Sequence, residues 1–194
     1  MIEDNQITSR VAQVGDIFIL LVPSGSDLQK LRKWQFEFQS KFGGQIVDFI
    51  HITCQRFSPK DDYYEDLCIT NLARAFEQTE SLAITTDKII QFYARYWCNF
   101  VIRWRVEETP QYQKFRNMME SILLKINCPS HFSRLRHASC TALNLETKLD
   151  ISNLNQQYQF PQFLFTASEL QVSKLLSDNQ FEILATINLK KTKG

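Results

Sequence analysis

The spacing of apolar residues changes along the chain, and the changes mark the predicted elements. Residues 17–22 form a continuous apolar run that is closed by a Pro-Ser-Gly turn, which predicts a buried strand. Apolar residues then recur every three or four positions over 28–42, which predicts a helix with Ser26 or Asp27 as its N-cap. Residues 46–57 alternate, so they predict a strand with two distinct faces.

The rest of the chain continues the mixture of helices and strands. The same patterns predict a helix over 64–76, a helix that starts at Thr109-Pro110, and strands over 82–90, 99–106, 137–145, 163–170 and 181–189. Each half has strands flanking helices, which predicts an α+β protein with two related lobes. The first 15 residues are polar and weakly patterned, so we expect a tail over 1–15 and one bilobal domain over 16–194.

Composition is that of an ordinary globular protein. Of the 194 residues, 44% are hydrophobic and 22% are charged, which is enough apolar material for a sizeable core. The net charge is +1, which argues against a protein that wraps a long duplex nucleic acid. A short anionic ligand remains compatible with this balance.

The sequence lacks the patterns that would indicate a membrane span, a secretory signal or a metal site built from paired cysteines. The apolar run 17–22 is too short to span a bilayer, and the first residues lack the basic start of a secretory signal. We therefore expect a cytoplasmic protein without membrane contact. The five cysteines show no CxxC spacing, so we expect reduced thiols, no metal site and no cofactor.

Candidate chemistry is concentrated at the histidines. All three are followed two positions later by a hydroxyl residue: His51 by Thr53, His131 by Ser133, and His137 by Ser139. On a strand, this spacing puts the imidazole and the hydroxyl on one face, about 7 Å apart. His131 follows Pro129 in a predicted loop, so His137 is the preferred second site, with His131 as its rival.

Paired imidazoles with nearby hydroxyls suit the chemistry of a phosphodiester. One imidazole takes a proton from the attacking water, and the other protonates the leaving oxygen, both near neutral pH and without a metal. Hydroxyls hold the phosphoryl oxygens between them. Arg56 and Arg136 lie near the two sites and are candidate substrate-binding residues, although solvated arginines at strand ends are common.

Two further patterns lie close to these candidates. The sequences from His51 to Cys54 and from His137 to Cys140 share the form H-x-S/T-C, and alternation turns each cysteine away from its histidine toward a packing role. Residues 103–105 read Arg-Trp-Arg, so the two arginines share a face. An RNA groove with a stacking indole is one interpretation, and we favour the other, a solvated face with a core indole.

The two H-x-S/T-x motifs, together with the layout of strands and helices around them, resemble the 2H phosphoesterase superfamily. This LigT-like group contains RNA 2′,3′-cyclic phosphodiesterases and so-called 2′-5′ RNA ligases. The resemblance covers most of the chain from Asp16 onward, but it departs at the residues after the first motif, at Arg136 before the second, and at a serine as second hydroxyl.

The resemblance implies a fold and a site. The implied fold is two-lobed, with antiparallel sheets flanked by helices and a central groove. His51 and His137 would be general acid and base in an order left open, with Thr53 and Ser139 as phosphate ligands. The implied substrate is a 2′,3′-cyclic phosphate RNA end or a related nucleotide, handled by a monomer. Non-catalytic nucleotide binding, 2′-5′ RNA ligase activity and a purely structural module are the alternatives.

Overall fold

One antiparallel sheet covered by helices makes up the described protein. The computed structural model describes residues 11–94, 98–131, 137–177 and 180–190. Within these ranges the helices are α1 (Gly25–Phe42), α2 (Asp62–Phe76), α3 (Pro110–Lys125) and α4 (Ser152–Gln157). The strands are β1 (Ile17–Leu21), β2 (Gln45–Ile46), β3 (Ile52–Phe57), β4 (Leu82–Ala94), β5 (Asn99–Val106), β6 (Ser139–Leu145), β7 (Gln162–Ala167), β8 (Glu169–Ser177) and β9 (Gln180–Asn188).

The strand order divides the sheet into two halves. It runs β7-β4-β5-β6-β3-β1-β8-β9, with the short β2 also paired to β6. We call β3, β1, β8 and β9 the first lobe, and β7, β4, β5 and β6 the second lobe. The lobes meet where Ile52 of β3 pairs with Cys140 of β6. The predicted α+β class with two lobes is confirmed, but the last hairpin, β8–β9, joins the N-terminal strand β1.

The two faces of the sheet differ in what covers them. Residues Ile17, Ile19 and Leu21 of β1 belong to the main core, to which all four helices contribute buried side chains. Phe18 and Leu20 point the other way into a smaller apolar cluster without helical residues. Because both faces of β1 are buried, its sequence is a continuous apolar run. We call the face opposite the helices the site face.

Local patterns identified most elements, with differences at their ends. Asp61 and Thr109 cap α2 and α3 through their side chains, and α3 begins at Thr109-Pro110 as predicted. The first helix begins at Gly25, earlier than predicted, and its N-cap Ser24 makes no side-chain bond. The strand predicted over 46–57 is interrupted, because residues 47–51 leave the sheet between β2 and β3. The strand predicted over 137–145 begins only at Ser139.

The segment after β6 differs most from expectation. The predicted strand 163–170 is divided between two strands that do not pair with each other, β7 and β8, which belong to different lobes. The preceding polar segment, expected to be a loop, contains α4. Asn155 of α4 accepts from the backbone N–H of Ile89 and donates to its carbonyl oxygen, both at about 2.9 Å. A bond to a residue so distant in sequence leaves no local pattern.

The predicted tail falls partly outside the described residues, which begin at Val11. Its last residue, Gly15, donates its backbone N–H to Leu175 of β8 at 2.8 Å. Within the described ranges, no helix combines the length and apolarity that a bilayer crossing requires.

Candidate functional site

The junction between the lobes brings the two predicted hydroxyls together. Ile52 and Cys140 are paired and both face the main core. Thr53 therefore faces the other way, and it pairs with Leu20, whose side chain lies in the cluster on the site face. The same alternation turns Ser139 to the site face. In this register Thr53 and Ser139 are cross-strand neighbours, whose Cβ atoms are typically about 5 Å apart.

His51 stands directly before β3 and is held by aromatic neighbours. Its Nδ1 lies 3.0 Å from the carbonyl oxygen of Phe49. A carbonyl oxygen only accepts, so Nδ1 carries the proton of the neutral ring and Nε2 is left as an acceptor. The Phe49 ring stacks on the imidazole with centroids 4.8 Å apart, and Phe181 of β9 lies 6.1 Å away at an angle.

These surroundings favour the neutral imidazole. Burial lowers the pKa of His51 to about 4; the Phe49 carbonyl opposes the shift, and the positive charge of Arg103 adds to it. His51 is therefore uncharged at pH 7. The backbone N–H of His51 opposes the rise in the pKa of the Cys140 thiol, so the first motif lies next to the strand of the second.

His137 has a different environment. It lies two residues before β6, and its side chain is 53% exposed. Its Nδ1 is 3.9 Å from a carboxylate oxygen of Glu108, which also accepts a hydrogen bond from Arg116 at 2.5 Å. The next residue, Ala138, accepts from the backbone N–H of Val106 at 2.9 Å. His137 thus lies exposed beside a carboxylate, whereas His51 is enclosed by aromatic rings.

The rival histidine, His131, is built into a chain of hydrogen bonds at the far end of β3. The Ser58 hydroxyl donates to Asp16 at 2.6 Å, so it accepts from the imidazole Nε2 of His131 at 2.8 Å. The backbone N–H of His131 donates to the Arg56 carbonyl oxygen at 2.7 Å. His51 precedes β3, whereas Ser58 follows it. His131 is therefore tied to the C-terminal end of β3, away from His51.

Of the two candidate arginines near the motifs, Arg56 is described by the structure and Arg136 is not. The side chain of Arg56 is only 7% exposed, and its Nε lies 3.8 Å from a carboxylate oxygen of Asp16. Its guanidinium also lies over the Phe18 ring, 5.8 Å from the centroid. Arg56 thus takes part in a buried ion pair. Arg136 lies outside the described residues, as does Ser133.

Arg103 and Arg105 flank the site, whereas the favoured interpretation of the sequence placed them on a solvated face. Trp104 is 2% exposed and lies in the main core, as the interpretation with a core indole predicted. Both arginines are partly buried on the other face, where Arg105 pairs with Ser139 and Arg103 with Thr141. The alternation showed that the arginines share a face. That this face adjoins the second motif depends on how β5 pairs with β6.

The cysteines of the two motifs are packing residues. Cys54 and Cys140 are buried in the main core, and burial raises the pKa of each thiol to about 12. Both therefore remain protonated at neutral pH and are poor nucleophiles. Among the residues that the structure describes, no three His, Cys, Asp or Glu side chains gather as a metal-binding set.

Comparison with known proteins identifies the fold. No protein-family model and no curated protein matches the sequence. A solved phosphoesterase superimposes with a TM-score of 0.65 at 14% identity, covering 91% of this chain and 99% of that one. E. coli LigT in apo form gives 0.65 at 13%, covering 94% and 100%. The PDE domain of MHV ns2 gives 0.58 at 14%, covering 82% and 99%. The chain therefore has the fold of the LigT-like 2H phosphoesterases, as its two H-x-S/T motifs predicted.

Proposed function

We propose that this protein is a metal-independent phosphodiesterase that opens a 2′,3′-cyclic phosphate at an RNA end or in a related nucleotide. His51 and His137 are its acid–base pair, and Thr53 and Ser139 bind the phosphoryl oxygens. The observation that carries the proposal is the β3–β6 register. Ile52 pairs with Cys140, so the hydroxyls of the two motifs become neighbours on one face. A single phosphate can contact both.

The contrast between the histidines assigns their roles within this proposal. His51 is the base, because its Nδ1–H donates to Phe49 and its Nε2 is free of a proton in the neutral ring. His137 is the acid, because it stands in the other motif as an exposed imidazole, with its Nδ1 3.9 Å from a carboxylate oxygen of Glu108. As the water oxygen bonds to phosphorus, His51 takes the water proton. As the ring P–O bond breaks, His137 protonates the leaving ribose oxygen.

A substrate anion adjusts the basicity of His51. With a pKa of about 4, the free ring is a weak base. A phosphodiester bound beside it supplies a negative charge that favours the imidazolium and so raises the pKa toward the working range. The proton then moves to His51 only when substrate is in place.

The structural neighbours support a nucleotide as the ligand. E. coli LigT has been solved with 3′-AMP, with ATP and with NADP+. Each ligand joins a phosphate to a nucleoside. We extend this chemistry to the present chain because the same fold brings two hydroxyls and the motif histidines to the lobe junction.

Hydrolysis of cytidine 2′,3′-cyclic phosphate in the presence of EDTA tests the proposal, with product followed by phosphorus NMR. We expect wild-type turnover, and losses of about 10³-fold for His51→Ala and for His137→Ala. His131→Ala is the matched control and keeps its rate within about threefold, since His131 bonds Ser58 at the other end of β3.

Other outcomes identify the alternatives. Binding of 3′-AMP without turnover of any cyclic substrate would establish a nucleotide-binding protein instead. Joining of RNA ends through a 2′-5′ linkage, with the same histidine dependence, would establish ligase-type activity. Undiminished rates in both histidine variants would overturn the assignment of the site.

A further inference from the structure

Beyond the two motifs, we propose that Arg103 is a third phosphate-binding residue, whose guanidinium contacts the oxygens held by Thr53 and Ser139. The inference rests on the proposed function, since it assigns a substrate contact at the same site. Arg103 belongs to neither H-x-S/T motif. It comes from β5, the strand on the other side of β6 from β3.

The position of Arg103 follows from the register of β5 and β6. Arg103 pairs with Thr141, and its Nη1 donates to the Ser139 hydroxyl at 3.3 Å. Its charge also acts on His51 across the junction. The guanidinium thus contacts the hydroxyl of the second motif and lies close enough to His51 for its charge to act on the ring, in the region where the phosphoryl oxygens are expected.

Phe92 orients the guanidinium. The central carbon of the Arg103 guanidinium lies 4.6 Å from the ring centroid of Phe92, a residue of β4 that is 39% exposed. A cation over an aromatic face is attracted to the ring, and the contact restricts a long, flexible side chain. Part of the conformational entropy of the Arg103 side chain is therefore lost before substrate arrives, so less of it is lost on binding.

A guanidinium supplies what the two hydroxyls lack. Each hydroxyl has one hydrogen to donate, whereas the planar guanidinium presents parallel N–H groups that match two phosphoryl oxygens and carries a positive charge. Negative charge grows on these oxygens as water attacks phosphorus. A fixed cation at this point stabilises the transition state more than the ground state.

Arg105 is a natural control. It lies on the same strand and face, and it pairs with Ser139 across β6. Its guanidinium, however, makes a two-point ion pair with Asp87, with Nε at 2.7 Å from one carboxylate oxygen. Lysine at this position retains a cation for Asp87. Arg105→Lys therefore matches Arg103→Lys in chemistry but not in the contact under test.

Rates on cytidine 2′,3′-cyclic phosphate give the first measurement. We expect kcat/KM to fall about 100-fold in Arg103→Ala and about 10-fold in Arg103→Lys, with kcat carrying most of the loss. Arg105→Lys stays within about threefold of wild type. Added guanidinium ion should partly restore Arg103→Ala, an effect that a structural role would not produce.

Binding of inorganic phosphate, followed by NMR titration, separates this inference from the proposed function. Without wild-type turnover, the proposed function fails, yet weaker phosphate binding in Arg103→Ala still supports the Arg103 contact. Wild-type rate and phosphate affinity in Arg103→Lys would overturn it, as would an equal loss in Arg105→Lys. Thermal melting identifies a variant that fails to fold, and if Arg103→Ala does so, Arg103→Lys decides.

Discussion

The surroundings of the two motif histidines differ sharply although their local sequences are alike. Both stand in an H-x-S/T-C sequence just before a central strand. His51 is enclosed by Phe49 and Phe181, and Arg103 adds a repelling charge. His137 is half exposed beside Glu108. Acid–base catalysis needs one proton acceptor and one donor, so repeated motifs are useful only if the fold makes their environments unequal.

A substrate with a good leaving group gives the largest effect that separates the two histidines. The leaving group of a p-nitrophenyl phosphodiester is p-nitrophenolate, which departs without being protonated. Hydrolysis of this substrate therefore does not need the acid. We expect His137→Ala to lose less than about 10-fold on this substrate, while His51→Ala still loses about 10³-fold. Release of p-nitrophenolate, followed by absorbance, measures both. The reverse ranking would exchange the roles of His51 and His137.

The pH dependence of stability gives the next effect. The folded pKa of His51, about 4, lies below the unfolded value near 6.5, so the unfolded chain binds the proton more readily in between. The associated stability is present above pH 6.5 and is lost as the pH falls toward 4. We expect a loss on the order of 1 kcal/mol between pH 7 and pH 5, measured by urea unfolding.

His51→Gln should remove most of this pH dependence, because glutamine does not titrate. Ile183→Ala, at an exposed position that does not titrate, serves as the control and should keep the wild-type slope. If His51→Gln also keeps that slope, the burial of His51 does not contribute to the pH dependence of stability and the comparison fails.

Phe181, one of the aromatic neighbours of His51, tests how far enclosure lowers the pKa of this histidine. Phe181→Ala removes one wall beside His51 and lets water approach the ring, so the pKa of His51 should rise from about 4 toward 6.5. NMR titration of the imidazole carbon-bound protons measures the shift. Ile183→Ala, on the same strand but 57% exposed, is the control and should leave the pKa unchanged.

Ser58, which links Asp16 and His131 through hydrogen bonds, gives the smallest effect. Ser58→Ala removes the donor to Asp16 and the acceptor for His131, so we expect stability to fall by about 1 kcal/mol. The rate on the cyclic substrate should change by less than about threefold. Thermal melting and the phosphorus NMR assay measure the two. A loss of activity as large as that of His137→Ala would show that His131 takes part in the chemistry.

Local patterns predicted most of the fold because most elements carry their own signals. The helix periods and the Thr109 N-cap lie within short segments, and the apolar run of β1 reflects burial on both faces. The short helix α4 was missed because Asn155 hydrogen-bonds the backbone of Ile89, a distant residue. The alternation in sequence indicated that Arg103 shares a face with Arg105, but it did not indicate which strand lies beside that face.

The sequence by itself determined which residues are present and which face of its own strand each side chain takes. Thr53 and Ser139 turn away from the core because side chains alternate along a strand. Only the tertiary structure decided that Ile52 pairs with Cys140, that β5 brings Arg103 to Ser139, and that the β8–β9 hairpin brings Phe181 to His51. Alternation is a property of one strand, whereas strand neighbours depend on packing between distant segments. The acid–base chemistry was therefore suggested by two short motifs, and the different roles of their histidines by the fold.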